Sequence, residues 1–228
     1  MIALASLALA TLAFVGGHLA MSHPLRTRLV QNLGDQWFLA LYSAISLVTL
    51  GWMILSYRAV RNSFPLWVAP DWAWPAAGGV MLLACILLAG SFFNNPAFPH
   101  PRTKPRAVRA ATGIFAVTRH PMNTAFILWA LVHIALWGSP RNLIVAGGIL
   151  VLSVLGSIGQ DHKKLNVVGE PWRTWMERTS FVPFAALLAG RAQWSGLRQA
   201  WPALLIGLLL WAAITWLHAP EALMGLAG

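Results

Sequence analysis

The chain reads as an all-α, polytopic membrane helix bundle of about six transmembrane helices, and three observations carry that reading. Of 228 residues, 58% are hydrophobic and only 10% charged, with a mean hydropathy of +0.65, where a soluble domain carries roughly a quarter charged residues. Six apolar stretches, 2–21, 37–57, 75–93, 121–138, 143–159 and 201–218, hold no Asp, Glu, Lys or Arg in their interiors. Each approaches the ~20 residues that cross a hydrocarbon core of about 30 Å. Thirteen Trp against two Tyr add an aromatic bias of the kind found at bilayer interfaces.

Helix is the state such stretches take in lipid, because each backbone group must find its partner within the segment. Stretch 2–21 lacks a basic leading region and is interrupted by Gly16-Gly17-His18, so it reads as a retained anchor and not as a cleaved signal peptide. Stretch 75–93 carries Cys85, the only cysteine, which excludes a disulfide framework and a cysteine-based metal cage; Cys85 reads as a small packed apolar residue. The loop before the fourth span is rich in proline (Pro96, Pro99, Pro101, Pro105) and in Arg and Lys, as an extended segment at the membrane surface would be. Pro121 then starts the fourth helix, in the first turn where a missing N–H is harmless. In 160–200, Glu170-Pro171-Trp172 has the look of a helix start, and Trp172, Trp175 and Met176 share one face of an amphipathic, surface-lying helix. Segment 181–190 is apolar but too short to span, hence re-entrant or interfacial. No internal repeat or linker divides the chain, so residues 1–228 read as one domain.

The connecting charges predict orientation. The first, third and fifth loops hold thirteen Lys and Arg; Arg58, Arg61 and Arg141 are the three on the other side. By the positive-inside rule the odd loops face the cytoplasm and both termini face outward. The net charge of +10 follows, and it implies attraction to anionic lipid. The basic loops lack the aromatic interleaving or module that nucleic-acid binding needs. All six acids are placed outside the spans, whereas a proton-coupled transporter carries an intramembrane carboxylate. No Gly-rich phosphate loop, HExxH or paired carboxylates occur.

Histidine in hydrocarbon is costly unless partnered, which makes an intramembrane histidine a functional suspect. His133 lies about 18 Å above Pro121, in a stripe with Met122, Phe126, Trp129 and Trp137. That stripe suits the wall of a flat cofactor pocket, and equally a helix-packing seam. His120 and His133 stand roughly 140° apart in azimuth and about 20 Å apart in height, so they do different jobs. His18, beside Gly16-Gly17, sits where small residues permit close approach. A second distant histidine on another helix is what bis-imidazole ligation of a heme iron requires. A shared iron also demands equal depth, so the first helix must be longer or more tilted than 2–21. His23, His100 and His162 read as solvated loop residues and His218 as interfacial.

Several segments together resemble the NnrU family of bacterial membrane proteins: Gly17-His18 with Met21-Ser22 and Leu25-Arg26; Gly113 through Thr118-Arg119-His120-Pro121 with Trp129 and His133; Asp161; Gly169-Glu170-Pro171-Trp172 through Thr179-Ser180-Phe181-Val182-Pro183-Phe184 and Gly190-Arg191; and Trp216-Leu217-His218-Ala219-Pro220. The resemblance implies a bacterial inner membrane, association with nitrite and nitric oxide metabolism, and nitrite or nitric oxide reductase components as partners. The 15-cis-zeta-carotene isomerases share this domain and hold a heme b by two histidines. By motif position these correspond to His18 and His133, with Trp129, Arg119 and His120 as further cofactor-binding candidates. The Arg119-His120-Pro121 and Glu170…Pro183 segments also resemble isoprenylcysteine carboxyl methyltransferases, which implies S-adenosylmethionine as the alternative cofactor. Asn123 stands where those enzymes usually carry Tyr. Three classes follow: a heme protein acting on a lipophilic or diatomic substrate or sensing nitric oxide, a membrane methyltransferase, and a non-enzymatic assembly factor.

Overall fold

The computed structural model describes residues 2–61, 63–97 and 111–225. The proline-rich loop reading, and His100 with it, falls largely outside them. The described chain is helical throughout: α1 (Ile2–Ser22), α2 (Arg26–Leu33), α3 (Asp35–Ala59), α4 (Ala73–Gly90), α5 (Ile114–Val117), α6 (Pro121–Leu136), α7 (Pro140–Val168), α8 (Glu170–Arg178), α9 (Ala185–Leu188), a 3₁₀ helix (Trp194–Ala200) and α10 (Trp201–Gly225). Five of these, α1, α3, α4, α7 and α10, are long and apolar enough to cross a membrane; α6 is an apolar helix of the shorter class. At 1.5 Å per residue, its sixteen residues cover about 24 Å. The protein is a multi-pass membrane helix bundle. Its long helices turn Leu12, Leu47, Leu155 and Leu209 outward, the side chains that lipid would solvate.

Two compact units divide the chain, one from residues 1–75 and 129–163, the other from 76–128 and 164–228. In the first, α1 and α3 run antiparallel. Ser6 Oγ lies 2.9 Å from Ser56 Oγ, Trp52 Nε1 donates to Ser6 Oγ at 3.2 Å, and Ser22 Oγ donates to Tyr42 at 3.4 Å. Leu7, Ala10, Met53 and Val60 form the core between them. Helix α7 runs parallel to α1. A Cβ at Gly148 would overlap Thr11, and one at Gly159 would overlap the His23 ring, so glycine is what lets these helices approach. The end of α6 is clasped by residues 66–69. Leu66 N donates to Gly138 O (3.0 Å), Gly138 N to Trp67 O (3.0 Å) and Ala69 N to Leu136 O (2.9 Å), with an antiparallel bridge from Val68 to Trp137. These bonds and Trp67 Nε1 to Ile134 O at 3.1 Å satisfy carbonyls that a helix end otherwise leaves orphaned.

In the second unit, α4 and α10 pack antiparallel. A Cβ on Gly207 would sit 2.5 Å from the Cα of Ile86, and Trp211 Nε1 donates to Gly78 O at 3.0 Å. Ala84, Leu87, Ile114, Val117, Ala125, Ala200 and Ala203 make its core. Helix α8 starts after Gly169 (φ +72°), with proline in its first turn, and buries Trp172 and Trp175 against Phe115 and Ala97.

Three expectations need correction. The helix that holds the fifth span does not end at 159: α7 continues to Val168, and Asp161, placed in a loop by its charge, is buried on that helix. Helix propagation needs hydrogen bonds and not apolar side chains, so charge alone misplaced the boundary. Second, His23 is not merely solvated, since its ring packs on α7 at Gly159. Third, the third span runs Ala73–Gly90, ending before Ser91, whose Oγ turns back to Leu88 O at 2.6 Å.

Candidate functional site

Two constellations hold the residues singled out from sequence. The first lies in the first unit. His18, half-buried on α1, brings Nδ1 to 2.8 Å from Phe14 O; His133, half-buried on α6, brings Nδ1 to 2.7 Å from Trp129 O. A carbonyl can only accept, so in both rings Nδ1 carries the proton and Nε2 of the neutral imidazole carries the lone pair. Metal-ligating histidines are held in this way, with one nitrogen donating to a carbonyl so that the other is aimed and made more basic. Aromatic neighbours fix both rings further. Phe14 and Tyr42 lie 4.3 and 5.3 Å from His18, and Trp129 lies 4.3 Å from His133.

Helix α7 gives the two histidines a common scale. The His133 carbonyl accepts Asn142 Nδ2 at 2.7 Å, while Thr11 and Val15 lie against Gly148, about 9 Å further along α7. Each imidazole leans toward the N-terminus of its own helix, as helical side chains do. Thr11 at Gly148 and the His23 ring at Gly159 set His18 beside residues 154–155 of α7, so its Cα stands about 18 Å from the level of the His133 carbonyl along that helix, and the leans of the antiparallel α1 and α6 reduce that difference only in part. Among the described residues no group of three or more His, Cys, Asp or Glu could hold a metal ion. Two imidazoles suit an iron whose four equatorial donors come from a porphyrin.

The second constellation lies in the second unit, where α5, the start of α6 and residues 179–184 close on one another. Arg119 N donates to Ser180 O (2.9 Å) and Phe184 N to Val117 O (2.8 Å). Thr118 Oγ1 donates to Phe181 O at 3.0 Å and lies 3.2 Å from Thr124 Oγ1, and Ser180 Oγ accepts Ala186 N at 3.0 Å. His120 is buried with its ring edge-on to Phe181 at 5.8 Å. Arg191 Nη1 donates to Glu177 O (2.7 Å) and Thr179 O (2.9 Å), capping the end of α8. The two motif segments, 60 residues apart in sequence, therefore form one hydrogen-bonded clasp.

Hence His18, His133 and Trp129 fall in one unit, and Arg119 and His120 in the other. Sequence reasoning missed Asn142, which holds the carbonyls of His133 and Trp137, and the hydroxyls of Thr118, Thr124 and Ser180. A polar residue just inside a helix start signalled Asn142; short hydroxyl residues in an apolar stretch signalled the others.

Both constellations lie within residues 6–226, which the model of the NnrU protein family matches. The chain belongs to the NnrU family. It is also 32% identical over 88 residues to the chloroplastic 15-cis-zeta-carotene isomerases of Zea mays and Arabidopsis thaliana. That match covers 39% of this chain and 24% of each relative's length, so this NnrU chain aligns with about a quarter of those proteins. No solved structure matches it.

Proposed function

We propose that this NnrU protein binds heme b through His18 and His133 and acts on a lipophilic substrate by cis–trans isomerisation, or in nitrite and nitric oxide metabolism. The observation that carries the reading is the half-burial of His18 and His133 with an aromatic ring against each, which the exposed His218 lacks although it makes the same Nδ1–H···O=C bond. The similarity to carotene isomerases supports the isomerase branch. Bound heme would supply redox-gated or Lewis-acid chemistry in a dry pocket. The chain's own part is orientation: Phe14 O and Trp129 O hold the imidazoles, Asn142 fixes the α6 end beneath His133, and the surrounding apolar helices exclude water.

The test is an absorption spectrum of the detergent-purified protein. A Soret band lost in both His18→Ala and His133→Ala, and retained in His218→Ala, is the expected outcome. His218 is a useful control because it makes the same bond, to Ile214 O at 2.8 Å, on an exposed stretch of helix. A colourless wild-type preparation that takes up no added hemin sinks the reading. The clasp of Arg119-His120-Pro121 on 179–184 favours one rival, S-adenosylmethionine-dependent methyl transfer. That rival requires binding of the cofactor, with loss in Arg119→Ala and His120→Ala.

A further inference from the structure

The second unit holds a half-open cavity of about 310 Å³ that neither histidine pair nor clasp uses. It lies between Gly90 and Ala203 on the spanning helices α4 and α10, the turn carrying Phe93 and Asn94, and Phe115 and Trp175. That volume is at the small end for ligand pockets, which run roughly 300–1,000 Å³. Among the described residues, none of the thirteen that line it is charged or a histidine. An anionic or zwitterionic head would be desolvated there without a counter-charge, which is expensive.

One polar group in the wall is left over. Trp175 is 3% exposed, and its Nε1 is buried with no hydrogen-bond partner among the described residues. A buried indole N–H normally finds an acceptor, and an orphan calls for an explanation. The Trp175 ring itself is held by Phe115, 5.8 Å away at 56°. The wall thus combines flat aromatic surface, one unsatisfied donor, the amides of Asn94 and Gln199 and the hydroxyl of Thr112.

We infer that this cavity takes the neutral, carbonyl-bearing ring of a membrane-dissolved lipophile of the quinone type, a carbonyl oxygen accepting from Trp175 Nε1. The aromatic walls favour a planar ring, and a lining without charge among the described residues favours a neutral one. Gly90 and Ala203 put part of the wall on two helices long and apolar enough to cross a membrane, which favours a molecule dissolved in lipid. The site stands on the second unit alone and does not depend on heme.

The experiment titrates decylubiquinone into detergent-solubilised full-length protein labelled with ¹⁵N at the tryptophan indoles. Thirteen indole signals are expected from thirteen Trp, and Trp175 is the one missing in Trp175→Phe. The inference predicts a saturable downfield shift of that signal. It also predicts binding weaker by about 10-fold in Trp175→Phe, the size of one lost hydrogen bond that leaves a carbonyl unpaired. Ala200→Leu, which fills the cavity without touching Trp175's nitrogen, keeps all thirteen signals and loses the response. Any of three results overturns the inference: an unmoved Trp175 signal, an equal shift with decylbenzene (which has no carbonyl), or a shift with S-adenosylmethionine alone. If Trp175→Phe fails to fold, the wild-type and Ala200→Leu titrations still decide.

Discussion

His18, His133 and His218 all return Nδ1 to the carbonyl four residues back. That bond is how a helix houses an imidazole, and by itself it assigns no ligand. What separates His18 and His133 from His218 is half-burial and an aromatic ring against each. His23 is a different case. Its ring fills the space left by Gly159, and its pKa is held below the ordinary 6.5 by burial first and then by the nearby Lys163 and His162 charges. The unfolded chain therefore binds a proton on His23 more readily than the folded one, so stability rises with pH across this titration. Stability is fully present above 6.5 and falls as pH drops toward the lowered value. Thermal unfolding in detergent between pH 7.5 and 5 should show a falling Tm, with the slope reduced in His23→Gln. A Tm that is flat or rises on acidification contradicts it. Gly159→Ala should displace the ring and cost up to about 1 kcal/mol, less than a clash with backbone, read as a lower Tm at pH 7.5.

At the scale of elements, glycine position decides how close two helices come. Gly207 of α10 meets the backbone of Ile86, which cannot swing aside as a side chain can, whereas Gly78 of α4 has nothing within 4 Å. Gly207→Ala should therefore destabilise the protein by about 1–3 kcal/mol. Gly78→Ala should be neutral or stabilising by up to ~1 kcal/mol through helix propensity. Thermal unfolding of the two variants side by side checks this, and equal effects would refute the packing register. Elements were legible in sequence where hydropathy alone sets them. The α1, α3 and α10 stretches, the existence of α4, the proline that opens α6 and the Trp172/Trp175 face of α8 all read correctly. Hydropathy failed where hydrogen bonding takes over. It ended α7 nine residues early because Asp161, Lys163 and Lys164 look like loop. It had no signal for α2, the 3₁₀ helix or the 66–69 clasp on α6, which are short and lack a period. At the site level, sequence singled out His18, His133 and His120. The cavity around Trp175 was invisible, because a packed indole and one facing a void have the same local pattern.

For the whole molecule the deciding quantity is the distribution of charge. Each Lys or Arg near an anionic leaflet is worth about 1 kcal/mol, and thirteen on one set of loops against three on the other leave a bias of order 10 kcal/mol by the same rule. One of the three, Arg141, is already committed to the protein: Nη1 donates to Val60 O at 3.1 Å and the guanidinium lies 4.9 Å above the Tyr57 ring. The side that carries three therefore competes weakly for an anionic leaflet. In a bacterial host, with Cys85 replaced by Ala, single cysteines at Thr27, Asp71 and Ser195 would report sidedness; all three positions are exposed. Membrane-impermeant maleimide on intact spheroplasts should label Asp71→Cys and leave Thr27→Cys and Ser195→Cys unlabelled until the membrane is opened. Labelling of Ser195→Cys but not Thr27→Cys would mean that the chain crosses the bilayer an odd number of times between them. In that case the sixteen-residue α6 would be the first crossing to doubt, since about 24 Å of helix must then be shown to span a core of about 30 Å.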